Sequence, residues 1–337
     1  MNQILANKKI GKFIFLICLL LFIQTSFVRA AEDITGEWEI KIDRGGLESF
    51  ATLSISKKAD GTLGGKWGSS ELTNVRFEER TLTFTRTRKT RALNFINKYT
   101  LTLQEGKLIG TLSTDFGDFP LNGTRKKAKS PVRGQWNVKY NIGEREITAK
   151  LTISEKPDGT LFGKWDTEFG EHIVSNVTFQ KSGKLTYTRK SKLGESEWES
   201  TFEGTIEGHK LAGAFKNQRG EILLTGERIG AALVGKWELT TTSYGNTSKS
   251  IMKIDGDLTG RYEFPEGSEL PIKNIRLEGD QVTFALDWYV RDLNFKMDFK
   301  GKLYGKTLLK GKLEGKTIKG KHIFDKYTNE VTGKKID

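Results

Sequence analysis

Arg86 and Arg189 are the residues of this sequence with the clearest chemical potential. Each stands two positions after an aromatic, Phe84 and Tyr187, in a segment where apolar and polar residues alternate. In a strand, positions i and i+2 face the same side. The alternation therefore predicts both guanidiniums at the interior or on its rim. A guanidinium taken out of water needs a carboxylate or an anionic ligand; the alternative is a solvated rim position. Tyr99, Tyr187, Trp198, Phe202 and Trp288 fall on the same predicted inner faces, with Phe84, Leu101, Phe284, Phe295 and Phe299. Such a set makes either a filled core or an apolar pocket with a few polar groups at its mouth.

Other chemistry is sparse. The three histidines, His172, His209 and His322, have no metal-ligand spacing and read as surface residues. Neither H-E-x-x-H nor G-x-S-x-G occurs. Gly301, Gly305, Lys306 and Thr307 fall one residue short of a phosphate-binding loop and lie in strand-like sequence. Asn122, Asn176 and Asn246 open glycosylation sequons. No catalytic residue, metal site or cofactor is expected. A paired-carboxylate glycosidase is the weakest reading, because acids are plentiful but sequence alone cannot set two of them across a cleft.

The elements that must position these residues come in three copies. Gly-x-Trp opens each: Gly36-Glu37-Trp38, Gly134-Gln135-Trp136 and Gly235-Lys236-Trp237. A turn signal follows in each, DGTLGGKW from Asp60, DGTLFGKW from Asp158 and DGDLTGRY from Asp255. Then come Asn74 to Phe77, Asn176 to Phe179 and Asn274 to Leu277. Alternating strands follow at Leu82, Leu185 and Val282. Glycine pairs close the copies: Gly110 with Gly123, Gly213 with Gly226, Gly320 with Gly333. Fixed order at a fixed period marks a repeat architecture. The expected divisions are a leader over 1–30 and repeats over 31–128, 129–229 and 230–337. Leu286 replaces the arginine in the third copy, so that feature is not shared by all.

Within each copy the pattern is strand throughout. Ile147, Ala149, Leu151 and Ile153 alternate, as do Tyr99, Leu101 and Leu103, and Asp-Gly pairs between such runs signal hairpins. Repeat two predicts strands starting near Gly134, Arg145, Thr160, His172, Lys184, Glu197, Lys210 and Glu221. Eight short antiparallel strands suit an up-and-down meander closed into a barrel, which removes exposed edges; a β-sandwich is the alternative. The fold expectation is all-β, with three tandem, self-contained eight-stranded barrels.

Gly-x-Trp on a first strand with a basic residue on the last resembles the lipocalin and wider calycin barrels. The openings TGEW and VGKW are similar to avidin, and the copies resemble small exported bacterial β-repeats. The resemblance implies that Trp38, Trp136 and Trp237 close the barrel floors. It pairs them with Arg125, Arg228 and Lys335 packed across them. It also implies a ligand cavity. Units near 100 residues, with no cysteine and no second lipocalin motif, depart from lipocalins.

Lys8, Lys9 and Lys12, then the apolar run Phe13–Ile23, then Val28-Arg29-Ala30 read as a secretory leader cut before Ala31. The apolar run is short for a membrane span, and no transmembrane helix is expected afterwards. Cys18, the only cysteine, lies in that run, so no disulfide or thiolate chemistry is expected in the mature chain. The formal charge is +13, and cleavage leaves +9 over 307 residues. The basic excess concentrates late: residues 296–337 carry twelve lysines and five acids, and Lys300, Lys302, Lys310, Lys312, Lys319 and Lys321 read as an outward strand face. Summed potential there suits anionic glycans, or simply solubility and edge protection. Nucleic acid is not an expected partner, since no recognition motif is present. The leading expectation is an exported, non-enzymatic bacterial binding protein, periplasmic or extracellular, for small apolar or amphipathic ligands. A structural or adhesive envelope module with a basic face is the second reading, and a glycan-acting hydrolase the third. Oligomeric state is left open.

Overall fold

The computed structural model describes residues 33–43, 48–89, 94–218, 220–243, 245–265, 267–290, 293–319 and 322–336. The expected leader, Gly320 and Lys321 lie outside the described residues.

Among the described residues every element is a strand except one 3-10 turn, Ala231–Leu233. Repeat one supplies β1 (Gly36–Asp43), β2 (Glu48–Lys57), β3 (Leu63–Trp67), β4 (Ser70–Glu71), β5 (Thr73–Glu78), β6 (Thr81–Lys89), β7 (Asn94–Gln104), β8 (Lys107–Thr114) and β9 (Gly117–Arg125). Repeat two supplies β10 (Gly134–Ile142), β11 (Arg145–Glu155), β12 (Leu161–Asp166), β13 (Glu171–Phe179), β14 (Lys184–Leu193), β15 (Ser196–Glu207), β16 (Lys210–Asn217) and β17 (Gly220–Arg228). Repeat three supplies β18 (Gly235–Ser243), β19 (Asn246–Ile254), β20 (Gly260–Glu263), β21 (Glu269–Glu278), β22 (Gln281–Val290), β23 (Leu293–Tyr304), β24 (Leu308–Lys319) and β25 (His322–Lys335).

Each strand pairs antiparallel with the next around β10 to β17, and β17 returns to β10, so repeat two is a closed barrel. Repeat three closes in the same way through β25 and β18. Two closed eight-stranded antiparallel barrels fit the calycin-type architecture. The sandwich alternative is set aside by those closures.

Repeat one departs from the expectation of three self-contained barrels. Its first and last strands pair, but β3 meets the following segment only at Lys66–Glu71 and Trp67–Ser70 of β4 and through the Leu72 N–H to the Gly65 carbonyl (2.9 Å), and among the described residues no ladder joins β3 to β5. The neighbouring edge turns to repeat three instead. Phe50 bridges Glu269, the Glu269 carboxylate accepts the Thr52 N–H (3.2 Å), and the Glu263 carboxylate accepts the Ser69 N–H (2.6 Å). Arg261 forms an ion pair with Glu39. The sheets of repeats one and three are thus joined, because backbone groups of β2 and of the β3–β4 turn find partners there.

One face of each barrel strand is apolar. Trp38, Trp136 and Trp237 are 0% exposed. Each stands beside the last strand's cation: Trp38 opposite Arg125, Trp136 opposite Arg228, Trp237 opposite Lys335. The Arg125 and Arg228 guanidiniums lie 4.4 and 4.2 Å from the ring centroids, and the Lys335 ammonium 5.7 Å. Contacts of this kind contribute about 0.5–2 kcal/mol, more when desolvated. Glycine two positions before the indole makes the room. Gly134 has φ 129, and a Cβ there would sit 2.8 Å from Arg228 Nη1. Burial pulls the Arg228 guanidinium down to about 10, against the pull of the Asp257 carboxylate, so it remains cationic at neutral pH. It also donates to the Pro131 and Gly256 carbonyls (2.6 and 3.0 Å). With Lys129–Asp255 (3.1 Å) and Arg133–Asp257, it fastens repeat two to repeat three.

Gly320 is not the counterpart of Gly110 and Gly213. Leu309 opposite Gly333 matches Leu211 opposite Gly226, which makes Gly311 the equivalent of Gly213. The last hairpin of repeat three is longer, so its glycine spacing stretches.

The recurring asparagines have a structural task. Asn74, Asn176 and Asn274 adopt φ of 54, 52 and 54, each at a register shift in the ladder. Asparagine enters the left-handed region more readily than branched residues, which meet a penalty of roughly 1–2 kcal/mol there. Replacing Asn176 with valine should therefore lower the opening free energy of the β13–β14 amides by about 1–2 kcal/mol in native-state hydrogen exchange, while Asn176→Gly leaves it nearly unchanged.

Candidate functional site

The indole floor occupies one end of each ring, so any access lies at the other. In repeat two that end is open. β14 alternates strictly: Leu185, Tyr187, Arg189 and Ser191 point inward and are buried. Leu185 lies nearest the floor, and Tyr187 stacks on Phe202 of β15 at 4.7 Å. Arg189 follows, with a cavity of about 270 Å³ against it. Tyr140, Phe169, Trp198 and Phe215 form its apolar wall, with Arg145 and His172 as further polar groups.

Arg189 is 5% exposed. Its guanidinium lies 3.8 Å from the Phe215 ring centroid, 4.8 Å from Trp165 and 5.7 Å from Tyr140. Nε and Nη1 have no hydrogen-bond partner. The ion pairs of repeat two that lie nearby in sequence, Lys139–Glu146, Arg145–Glu168 and Lys190–Glu199, join exposed side chains and do not reach it. Burial lowers its pKa, and the Tyr140 and Tyr187 phenols oppose that, Tyr140 also by accepting a hydrogen bond from the guanidinium. Burial likewise raises the Tyr187 phenol, whose hydroxyl has no partner, nor does Trp165 Nε1. Aromatic faces return about 0.5–2 kcal/mol each to a cation. A buried ion costs several kcal/mol after relaxation. The rings therefore offset the burial of Arg189 only in part.

His172 sits at the rim and is half-buried, contrary to its reading as a surface residue. Its Nε2 lies 2.7 Å from the Phe169 carbonyl and its Nδ1 2.9 Å from Ser191 Oγ. A carbonyl only accepts, so Nε2 carries the proton. Burial first, and the Arg189 charge after it, hold the pKa below the usual histidine value against the Phe169 carbonyl. The neutral ring then accepts from Ser191. His209 is also half-buried, and His322 is exposed.

The other two mouths differ. In repeat one Trp67, Phe84 and Tyr99 pack together, with Phe84 and Tyr99 stacked at 4.5 Å. Arg86 is buried above them at 6% exposure, but a repeat-three turn fills the space. A Cβ on Gly267 would stand 3.2 Å from Arg86 Nη2 and 3.3 Å from Trp67 Cδ1. In repeat three Leu286 takes the arginine position and is buried. Ser250 donates to the Tyr262 hydroxyl (2.7 Å), and Trp288 stacks on Phe295 at 5.1 Å beneath Phe264. That interior is filled by its own side chains.

Of the residues singled out in sequence, Arg189 and Trp198 line one cavity, and Tyr187 and Phe202 support it from below. Arg86 and Tyr99 sit in the covered mouth of repeat one, and Trp288 in the filled repeat three. Trp165, Tyr140, Phe169, Phe215, Arg145 and His172 were not anticipated as site residues. Trp165 closes the DGTLFGKW signal, where its inward phase beside Leu151 could have marked it.

No family model and no curated protein matches the sequence. Solved structures similar to the chain include a double mutant and a single mutant of the vaccine antigen transferrin binding protein B from Haemophilus parasuis Hp5. Another is isotype 1 transferrin binding protein B from serogroup B Neisseria meningitidis. Each covers 89% of this chain and 74–75% of the other, at 10–11% identity and TM-scores of 0.19–0.20. At that identity and TM-score they say nothing about what this chain binds.

The depressed His172 pKa has a measurable sign. Unfolding releases a histidine that titrates near 6.5, whereas the folded ring resists protonation. Its contribution to stability is complete above that pH and is lost as the pH falls through the lower folded value. The melting-temperature advantage of the unmodified chain over His172→Gln should therefore shrink from pH 7 to pH 5, as read by thermal denaturation.

Proposed function

We propose that this chain is an exported, non-enzymatic binding protein of bacterial type. It is built of three calycin-like units divided near residues 128 and 229. The ligand site is the open end of repeat two, and the ligand is a small amphipathic acid. Its carboxylate enters first and pairs with Arg189, and its apolar body rests on Tyr140, Phe169, Trp198 and Phe215. Repeats one and three, whose mouths are covered or filled, serve as scaffold. The export assignment rests on the leader pattern of residues 1–30 and leaves periplasm and exterior as the two locations. Among the described residues no helix is long and apolar enough to cross a membrane.

One observation carries this reading: a buried guanidinium with two unpartnered nitrogens at the wall of an apolar cavity. A carboxylate supplies paired, charge-assisted acceptors that three aromatic faces cannot. The cavity, about 270 Å³, lies just under the roughly 300–1,000 Å³ of drug-sized sites, which argues for a small ligand. The wall also contains arginine, histidine and asparagine but no aspartate, glutamate, serine or lysine. That composition suits anion capture better than acid–base or nucleophilic chemistry.

Tryptophan fluorescence, with Trp198 on the wall, gives the test. Decanoate should bind saturably at one equivalent, and decanol at least about tenfold more weakly, the cost of leaving a buried charge unpaired. Arg189→Met should weaken decanoate by at least about tenfold without lowering the melting temperature of the ligand-free chain, since it removes an uncompensated buried ion. Equal binding of acid and alcohol, or acid binding that survives Arg189→Met, would refute the assignment.

A further inference from the structure

The outer face of β23, β24 and β25 carries a feature absent from its two counterparts. Across β23 and β24, Lys300 stands directly opposite Lys312, and Lys302 opposite Lys310. All four are exposed. Like charges placed opposite one another on a sheet repel and destabilise it. Strand neighbours lie about 4.8 Å apart and alternate residues about 7 Å apart, so the four lysines spring from one compact block of the sheet.

The same positions in repeat two hold Glu203 opposite Ala214 and Thr205 opposite Ala212, and the lysines elsewhere on β16 face acids. Lys210 of β16 stands between Glu207 and Glu227, and Lys216 stands opposite Glu221. In repeat one the equivalent strands oppose serine, threonine and isoleucine to their neighbours, with no lysine facing lysine. The scaffold therefore accommodates paired or neutral faces, and repeat three alone concentrates cations.

The surroundings are mixed. Glu330 pairs with Lys312 (3.4 Å) and Asp280 with Lys302 (3.5 Å). Asp298 and Glu314 form the next row, followed by Lys296, Lys316 and Lys326 abreast. Lys310 and Lys300 are left without a carboxylate partner among the described residues' ion pairs. Beside the block the Tyr304 ring is 51% exposed, with the Lys310 ammonium 5.7 Å from its centroid.

We propose that this face is a binding site for a linear acidic polysaccharide, independent of the repeat-two cavity. Sulfates or carboxylates along such a chain would neutralise the opposed lysines, and the apolar C–H face of a sugar would stack on Tyr304. The other outward neighbours of the block are Gln281, Thr283, Glu330 and Thr332, with the half-buried Leu308 opposite Tyr304. Leu308 and Tyr304 alone fall short of the broad apolar face that interfacial binding to an anionic membrane requires.

The test uses the full chain, with dextran sulfate as ligand and uncharged dextran and phosphatidylglycerol vesicles alongside. Dextran sulfate should bind and dextran should not, with affinity falling as salt rises. The variant Lys300→Gln/Lys302→Gln/Lys310→Gln/Lys312→Gln should weaken dextran sulfate at least about tenfold, because it removes the local potential. The repeat-two variant Lys164→Gln/Lys190→Gln/Lys210→Gln/Lys216→Gln loses the same formal charge and should change affinity less than about threefold. The block variant should melt no lower than the unmodified chain, and Lys302→Gln/Lys310→Gln alone should give an intermediate loss. Equal losses from the two quadruple variants would reduce the effect to bulk charge and overturn the proposal. So would binding to the vesicles without binding to dextran sulfate.

Discussion

A cation laid over a buried indole decides the shape of this molecule. The contact ties the first strand of each ring to its last, where an up-and-down sheet would otherwise have two edges. Gly36 and Gly134 take positive φ and leave out a side chain, so the guanidinium can reach the ring. Sealing one end in this way directs all variation to the other. There the three copies diverge: a neighbour's turn covers one mouth, an aromatic stack fills another, and one stands open over Arg189.

The open mouth is where packing and function pull apart. Leu286 shows how the position is occupied in a barrel whose interior is filled, with an apolar side chain buried among its neighbours. Arg189 puts a charge in the same place, and three aromatic rings give it only a fraction of what water gave. Arg86 is equally buried, but it lies under the Gly267 turn of repeat three. The proposed site lies in repeat two because its cation is both desolvated and reachable.

Much of this was legible in the sequence because it depends on local rules. Period-two alternation and Asp-Gly turns placed the repeat-two strands, whose observed starts at Leu161, Glu171, Ser196 and Gly220 fall within one residue of expectation. The same alternation carried Arg189 inward. What the sequence hid depends on distant partners. Nothing near Thr52 announces that its N–H will meet Glu269, 217 residues away, and so the joining of repeats one and three was not foreseen. Nor was the short β3–β4 pairing, two residue pairs, that leaves β5 without a ladder to β3. His172 looked like surface because its burial comes from the Phe169 turn and Ser191 on an adjacent strand. Trp165 read as part of a turn signal, although it also packs against the guanidinium.

The central claim is that Arg189 meets its anion from outside the chain. The most direct measurement follows the Arg189 Nε–H resonance in ¹⁵N-arginine-labelled protein as decanoate is added. The account predicts a downfield shift of that one resonance, complete at one equivalent, as Nε gains an acceptor. A resonance that stays in place while decanoate binds would show that the acid seats elsewhere and would contradict the account.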